Sequence, residues 1–220
     1  MAYREFITLV HKSTTRDYLA RVTQRDKAEV AELAIQWGHD YWDGSRETGY
    51  GGYRYDGRWR KVADAMRDAY GLKPGMRVLD VGAGKGFLMH DLMESVPGLD
   101  VEGIDISGYA IERAHGLAQG RIEEGNAAKL PWPDGHFDLV ISITTLHNLY
   151  IHDLFAALTE MQRVSKRDKY LCVEGYRNER EKVNLMYWQL TCRAFHTPEE
   201  WEWIFDRAGY TGDHEFIFFE

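Results

Sequence analysis

The stretch RVLDVGAGKGFL, residues 77–88, decides the fold. Arg77 to Val81 is a short apolar run carrying one acid, Asp80. Gly82, Gly84 and Gly86 follow at once, and an apolar-periodic segment then begins. This reads as a buried strand, a tight glycine turn and a helix start. Glycine lets the backbone take strained angles and lets a ligand approach where a Cβ would block it. The amides at the start of the helix can hold a polar ligand.

Toward the C-terminus, strand and helix patterns alternate. Helix is expected over 86–96, with Leu88, Met89, Leu92, Met93 and Val96 on one side, broken by Pro97-Gly98. A strand over 99–106 ends in Asp105, and Ser107 caps a helix expected to run to Gln119. Short strands are expected at 121–125 and, almost wholly apolar, at 137–143, separated by the loop LPWPDG. A helix at 152–164, a strand at 169–175, helices at 181–193 and 198–208 and a final strand at 215–219 complete the chain. Such alternation predicts an α/β fold, a doubly wound, mostly parallel sheet with helices on both faces. Ligands of such sheets sit outside the carboxyl ends of the strands.

Toward the N-terminus the pattern changes. Residues 1–25 are mixed, with Ser13-Thr14-Thr15 placed to cap a helix from Arg16. Helix is expected over 26–41, where Val30, Leu33, Ala34, Trp37 and Tyr41 recur at helical spacing. Residues 44–57, GSRETGYGGYRYDG, hold five glycines and three tyrosines with no period, and read as a loop. Helix resumes over 58–70 and stops at Gly71. The division expected is therefore residues 1–71, a helical extension with an aromatic lid, and residues 72–220, the sheet domain.

Composition narrows the function. The 220 residues are 44% apolar and 28% charged, ordinary for a globular protein. A net charge of −8 argues against a nucleic-acid partner. Two cysteines, Cys172 and Cys192, form no disulfide framework, and no membrane span or leader pattern is visible, so a cytoplasmic location is the default expectation. No metal site is expected.

Details of the glycine turn restrict its ligand. A dinucleotide turn, Gly-x-Gly-x-x-Gly, would put its third glycine where Phe87 stands. A phosphate loop would need Lys-Ser/Thr after its last glycine, and Lys85-Gly86-Phe87 is not that. Asp105, 19 residues beyond Gly86, can accept both hydroxyls of a ribose.

VLDVGAGKGFL, then GIDIS, then EGNAAKLPWPDGHFDLVIS, resembles the ordered motifs of class I, Rossmann-like S-adenosylmethionine-dependent methyltransferases. The resemblance implies S-adenosylmethionine as cofactor. It implies that Gly82, Ala83, Gly84 and Gly86 lie against the methionine part, with Asp80 supporting the turn. Asp105 would bind the ribose, Ile106 would pack on adenine and Asn126-Ala127 would meet its edge. Ser142, Ile143 and Thr144 would line the other side. The family usually has aspartate at Asn126, and an amide oxygen there accepts a weaker bond. The family sheet also usually closes with two strands after the last helix. Only 215–219 is visible, so one strand is either absent or replaced by the N-terminal segment.

Methyl transfer needs alignment, water exclusion and, for a hydroxyl acceptor, a base. His147, in SITTLHNLY after the fourth strand, is the first candidate base, with an ordinary pKa suited to the task. Glu174, closing the fifth strand, is the second. Tyr150, Tyr176 and Arg177 lie at the same edge as candidate acceptor contacts, Arg177 for a carboxylate or phosphate. Trp42, Tyr50 and Tyr53 of the aromatic loop are candidates to roof the acceptor, with Tyr187 and Trp188 as an opposite wall. The expected function is methyl transfer to a small-molecule or sugar-containing metabolite. The alternatives are a protein that binds the cofactor without turnover, or one that uses the sulfonium for another reaction.

Overall fold

A computed structural model describes residues 1–12 and 16–220. The expected cap at Ser13-Thr14-Thr15 lies outside the described residues.

The helices are α1 (Thr8–Lys12), α2 (Ala20–Thr23), α3 (Lys27–Ala34), α4 (His39–Trp42), α5 (Arg60–Tyr70), α6 (Phe87–Ser95), α7 (Gly108–Glu112), α8 (Ile151–Val164), α9 (Glu179–Trp188) and α10 (Pro198–Arg207). The strands are β1 (Arg77–Val81), β2 (Asp100–Asp105), β3 (Ile122–Glu124), β4 (Phe137–Ile143), β5 (Ser165–Glu174) and β6 (Asp213–Ile217). They form one sheet in the order β3-β2-β1-β4-β5-β6, with every pair parallel. The order reverses between β1 and β4, so the crevice of such a sheet opens there. The register brings Val81 beside Ile104, Ile143 beside Cys172 and Glu174 beside Ile217. Gly82, Asp105, Thr144 and Glu174 therefore share one edge.

Both faces of the sheet are covered, which explains the unbroken apolar run of β4. Val78, Leu139, Ile141 and Cys172 pack on one side with α5 and α6 residues such as Met66 and Leu92. Leu79, Val140, Leu171 and Val173 pack on the other with Leu158, Trp201 and Phe205. Local signals set the helix ends. Gly71 at φ 60 closes α5, and Thr197 with Glu200 makes a capping box ahead of Pro198 in α10.

Three helices differ from expectation. The helix expected over 26–41 breaks after α3, because Trp37 takes φ 51 and redirects the chain into the short α4. The helix from Ser107 stops at Glu112, and residues 116–118 form a 3₁₀ turn against α6. There Ala118 sits where a side chain on Gly86 would be, 2.4 Å from such a Cβ. That packing is what requires the third glycine of the turn. The helix expected over 181–193 begins at Glu179 and ends at Trp188.

β6 pairs directly with β5, and no further strand lies between them. The N-terminal segment runs along the other side of β6. Tyr3 forms a parallel bridge with His214, Arg4 N–H donates to the His214 carbonyl, and His214 N–H donates to that of Ala2. Next along β6, the fully buried Glu215 carboxylate accepts the N–H groups of Phe6, Ile7 and Thr8 at 2.7, 2.8 and 2.7 Å. It also accepts the hydroxyls of Thr8 and Tyr170. Phe6 and Ile7 lead into α1 and Thr8 is its first residue, so a core carboxylate receives the amides at the entry to a helix remote in sequence.

Candidate active site

β2 holds the glycine turn in shape. Gly82, Gly84 and Gly86 have φ of 83, 56 and 68, and the N–H groups of Gly82 and Ala83 donate to the Ile104 carbonyl. Asp105 accepts the Gly84 N–H on one carboxylate oxygen and the Ser107 N–H on the other, at 2.7 and 2.8 Å. Each oxygen keeps a lone pair for a ligand. Burial raises the Asp105 pKa, and its backbone donors oppose this. Asp80 lies behind the turn, and burial together with the Asp105 charge pushes it up to about 7. The residue after Asp105, Ile106, is 58% exposed, an apolar side chain without a protein cover.

The remaining expected cofactor residues divide by burial. Asn126 is exposed, and its side-chain oxygen accepts the Ala128 N–H at 2.8 Å, with Ala127 half-buried beside it. Ser142 is fully buried and its hydroxyl donates to the Val81 carbonyl, stitching β4 to β1. Its side chain therefore serves the sheet, which differs from the expected lining role. Ile143 and Thr144 are half-buried at the edge. Thr144 takes φ 52, a conformation that is costly for a β-branched side chain and tends to occur at functional sites.

The aromatic loop folds over this turn. The Trp42 ring lies 2.7 Å from the position of a Cβ on Gly84, and its indole N–H donates to Ser107 Oγ and the Trp37 carbonyl. Trp42 stacks on Tyr50, Tyr50 meets Tyr53 at 4.4 Å, and Tyr53 stacks on Phe87 at the start of α6. Lys85, inside the turn, fastens the loop. Its ammonium lies 2.7 Å from both oxygens of Asp43 and 2.9 Å from the Tyr53 carbonyl, and the Tyr109 hydroxyl also donates to Asp43. Burial alone would raise the Asp43 pKa, but the Lys85 and Tyr109 hydrogen bonds outweigh it and hold the carboxylate low. A hydrogen bond to a charged group is worth about 1.5–3 kcal/mol. Asp43→Ala is therefore expected to speed tryptic cleavage at the exposed Arg46 and Arg54 by about tenfold or more. An unchanged cleavage rate would show that the loop is held by its aromatic contacts alone.

Two strands from the turn, Glu174 and His147 lie together. Both are buried, at 4% and 2% exposure. His147 Nδ1 accepts the Glu174 N–H at 3.4 Å, which places the ring proton on Nε2, 3.4 Å from Glu174 Oε2. Burial pushes His147 down to about 3 and Glu174 up to about 8, with a Gln189 hydrogen bond opposing the latter. Near neutral pH this is a contact of two neutral groups, not an ion pair. The expectation of His147 as an edge base does not suit this geometry, because the ring is enclosed and its acceptor nitrogen is occupied. Glu174 differs. Gln189 donates to Oε1, while Oε2 has no hydrogen-bond partner among the described residues.

The expected acceptor contacts are less tightly gathered. Tyr150 is 58% exposed, with the Arg193 guanidinium 5.1 Å above its ring. Tyr176 is half-buried beneath Lys182. Arg177 is bound to Glu181, four residues on, and to Glu220, with contacts from 2.5 to 3.1 Å. Two carboxylates already neutralise it, which corrects its expected role with an acceptor anion. The contacts hidden in the sequence are Lys85–Asp43, Gln189–Glu174 and an arginine group around Trp188, all joining segments far apart in the chain.

The profile of a methyltransferase domain matches residues 72–209. The chain belongs to this family. It is a class I methyltransferase domain, and the family's cofactor is S-adenosylmethionine. It is 38% identical over 122 residues to demethylmenaquinone methyltransferase of Beutenbergia cavernae, covering 55% of this chain and 48% of that protein. It is 30% identical over 118 residues to fatty-acid O-methyltransferase of Mycolicibacterium smegmatis, covering 52% and 41%. The chain thus spans about half or less of these curated relatives. Among solved structures, the YcgJ protein of Bacillus subtilis shares the fold with a TM-score of 0.55 at 24% identity over 66% of each chain. A methyltransferase of Archaeoglobus fulgidus does so with a TM-score of 0.54 at 22% identity over 78% and 72%.

The methyltransferase's edge residues suit this cofactor. A sulfonium and an ammonium are cations, and Asp80 and Asp105 supply buried carboxylates beside a turn that only glycine allows. Ile106 offers an uncovered apolar face next to Asp105. No helix is long and apolar enough to cross a membrane among the described residues.

Proposed function

We propose that this methyltransferase transfers a methyl group to a small-molecule or sugar-containing metabolite, with Glu174 as the general base for the acceptor. The observation that carries this reading is the Glu174 carboxyl. It is buried at the carboxyl edge, held by Gln189 on one oxygen and left without a hydrogen-bond partner among the described residues on the other. A carboxylate so desolvated binds protons more strongly than one in water, which suits it to take a proton from a hydroxyl. Bound at the glycine turn, S-adenosylmethionine supplies an activated sulfonium methyl. Asp105 accepts the ribose hydroxyls, and Ile106, Asn126 and Ala127 receive the adenine. Ile143, the last residue of β4, and Thr144 after it face the cofactor. Trp42, Tyr50 and Tyr53 roof the site and exclude water. His147 keeps Glu174 in place from beneath.

Several features support a small acceptor. The acidic net charge suits neither DNA nor RNA. The relatives named for menaquinone precursors and fatty acids act on small molecules. Mass spectrometry of reactions with candidate metabolites tests the reading. Formation of S-adenosylhomocysteine with a methylated product is expected, and cofactor binding without turnover on any acceptor would favour a binding protein. Asp105→Ala is expected to weaken S-adenosylhomocysteine by about 1–3 kcal/mol. Unchanged affinity by calorimetry would overturn the ribose assignment.

A further inference from the structure

Three guanidinium groups surround one ring beside the aromatic roof. Arg16, Arg21 and Arg46 place their guanidinium carbons 5.3, 5.0 and 5.2 Å from the centroid of Trp188, the last residue of α9. Every pair of these charges lies within about twice that distance. Lys27 adds a fourth cation on the same helix end, with its ammonium on the carbonyls of Met186 and Tyr187.

The hydrogen bonds of Arg21, Arg46 and Lys27 go to main-chain carbonyls. Arg21 donates to the carbonyls of Trp188 and Arg46, and Arg46 donates to that of Tyr50. Arg16 meets His11 Nδ1 at 3.2 Å. Among the described residues, Arg21, Arg46 and Lys27 bond main-chain carbonyls and no carboxylate. The C-terminus of α9 carries about half a negative charge, too little for this group. Burial and the neighbouring Arg46 push Arg21 down to about 10, with Tyr41 and Glu47 opposing, and burial and Arg21 push Lys27 down to about 8. A cluster of like charges is unfavourable unless something anionic joins it. In a chain of net charge −8 this grouping stands out.

The cluster belongs to the same site as Glu174. Arg16 acts electrostatically on Glu174, and Glu174 acts on Tyr41 and Tyr50 of the roof. The carbonyl of Tyr50 is the one that Arg46 holds, and Gln189, which holds Glu174, follows Trp188 directly.

We infer that Arg21 and Arg46 form the anion-recognising part of the acceptor site, so that the acceptor is a small oxyacid bearing a carboxylate or a phosphate. This rests on the proposed methyl transfer. The anionic group meets the guanidiniums beside the aromatic roof, and the nucleophile reaches inward to Glu174. Arg46 is exposed, so the anion has a path from solvent.

The test is calorimetric titration of benzoate, phenyl phosphate and neutral benzyl alcohol into protein saturated with S-adenosylhomocysteine. At least one anion is expected to bind about tenfold or more tightly than the alcohol, and the stronger anion identifies the oxyacid class. Arg46→Gln, a change at an exposed position, is expected to weaken that anion by about tenfold while S-adenosylhomocysteine affinity stays within about twofold. Arg21→Gln should act in the same direction, and Arg46→Gln alone decides the matter if Arg21→Gln does not fold. Equal binding of alcohol and anions, or an unchanged anion affinity in Arg46→Gln, overturns the inference. So does a loss of S-adenosylhomocysteine affinity in Arg46→Gln, which would mean that the guanidiniums hold the cofactor's own carboxylate. Failure of the unsubstituted protein to bind S-adenosylhomocysteine counts against the proposed function instead, and the anion titration can still be read without it.

Discussion

Glu174→Gln is expected to slow methyl transfer by about 10²-fold or more and to remove the pH dependence of what remains. Glutamine keeps the shape and can still bond Gln189, but it cannot accept a proton. Burial pushes Glu174 up to about 8, so the unsubstituted enzyme gains base as pH rises toward that value. Its kcat/KM should climb about tenfold per pH unit below about 8 and level above it. The variant should be flat over this range. Stability gives an independent readout. The folded protein keeps the Glu174 proton up to about 8, whereas the unfolded chain loses it near the ordinary 4.5. The contribution of Glu174 to stability is therefore fully present below about 4.5 and is lost as pH rises to about 8. The Tm of Glu174→Gln relative to the unsubstituted protein should rise across that window. A pH–rate limb that survives in the variant would assign the base elsewhere. A Tm difference independent of pH would show that Glu174 is not held protonated.

Glu215→Ala is expected to lower stability by about 3–5 kcal/mol, the range for removing one partner of a buried charged network. The methyl group would leave the N–H groups of Phe6, Ile7 and Thr8 and the Tyr170 hydroxyl without their acceptor. At this chain length, each kcal/mol lowers Tm by roughly 2–4 °C. The loss has a ceiling, because residues 1–12 can peel away rather than keep buried donors unpaired. Phe6 would then leave Tyr70 and Tyr170, and Ile7 would leave the core. Hydrogen exchange should accordingly quicken first at Phe6–Thr8 and the neighbouring backbone of β6. A Tm within a degree or two of the unsubstituted protein would mean that the aromatic contacts alone hold the segment. Glu215→Gln should fall between the two, since one acceptor oxygen remains.

The parallel sheet was legible because its signals are local. The apolar strands, Pro97-Gly98, the glycine turn and Ser107 each announce themselves within a few residues, and β4 runs over the residues its apolar stretch indicates. What periodicity missed was decided by distant partners. Trp37 and Tyr41 keep helical spacing, yet the chain turns at Trp37 because Trp42 must reach Gly84. Residues 113–119 leave the helix because Ala118 packs against Gly86. In the site, Asp105 and Glu174 stood out as acids at strand ends. Lys85 read as a filler between glycines, and only the fold brings Asp43 to it. The neutralisation of Arg177 could have been read, since Glu181 stands four residues on at helical spacing. The enclosure of His147 could not, because its walls come from β5 and from the loop whose N–H groups at Arg193 and Ala194 bond its carbonyl.

The bonds between residues 2–8 and residues 213–215 span more than 200 positions. Closing so long a loop brings a large entropic cost before any contact rewards it. During synthesis this segment must wait for a strand made some two hundred residues later. Phe6 and Ile7 stay uncovered throughout that interval. Their docking on β6 is therefore a late event in folding, and the Glu215 carboxylate acts as the clasp that completes it.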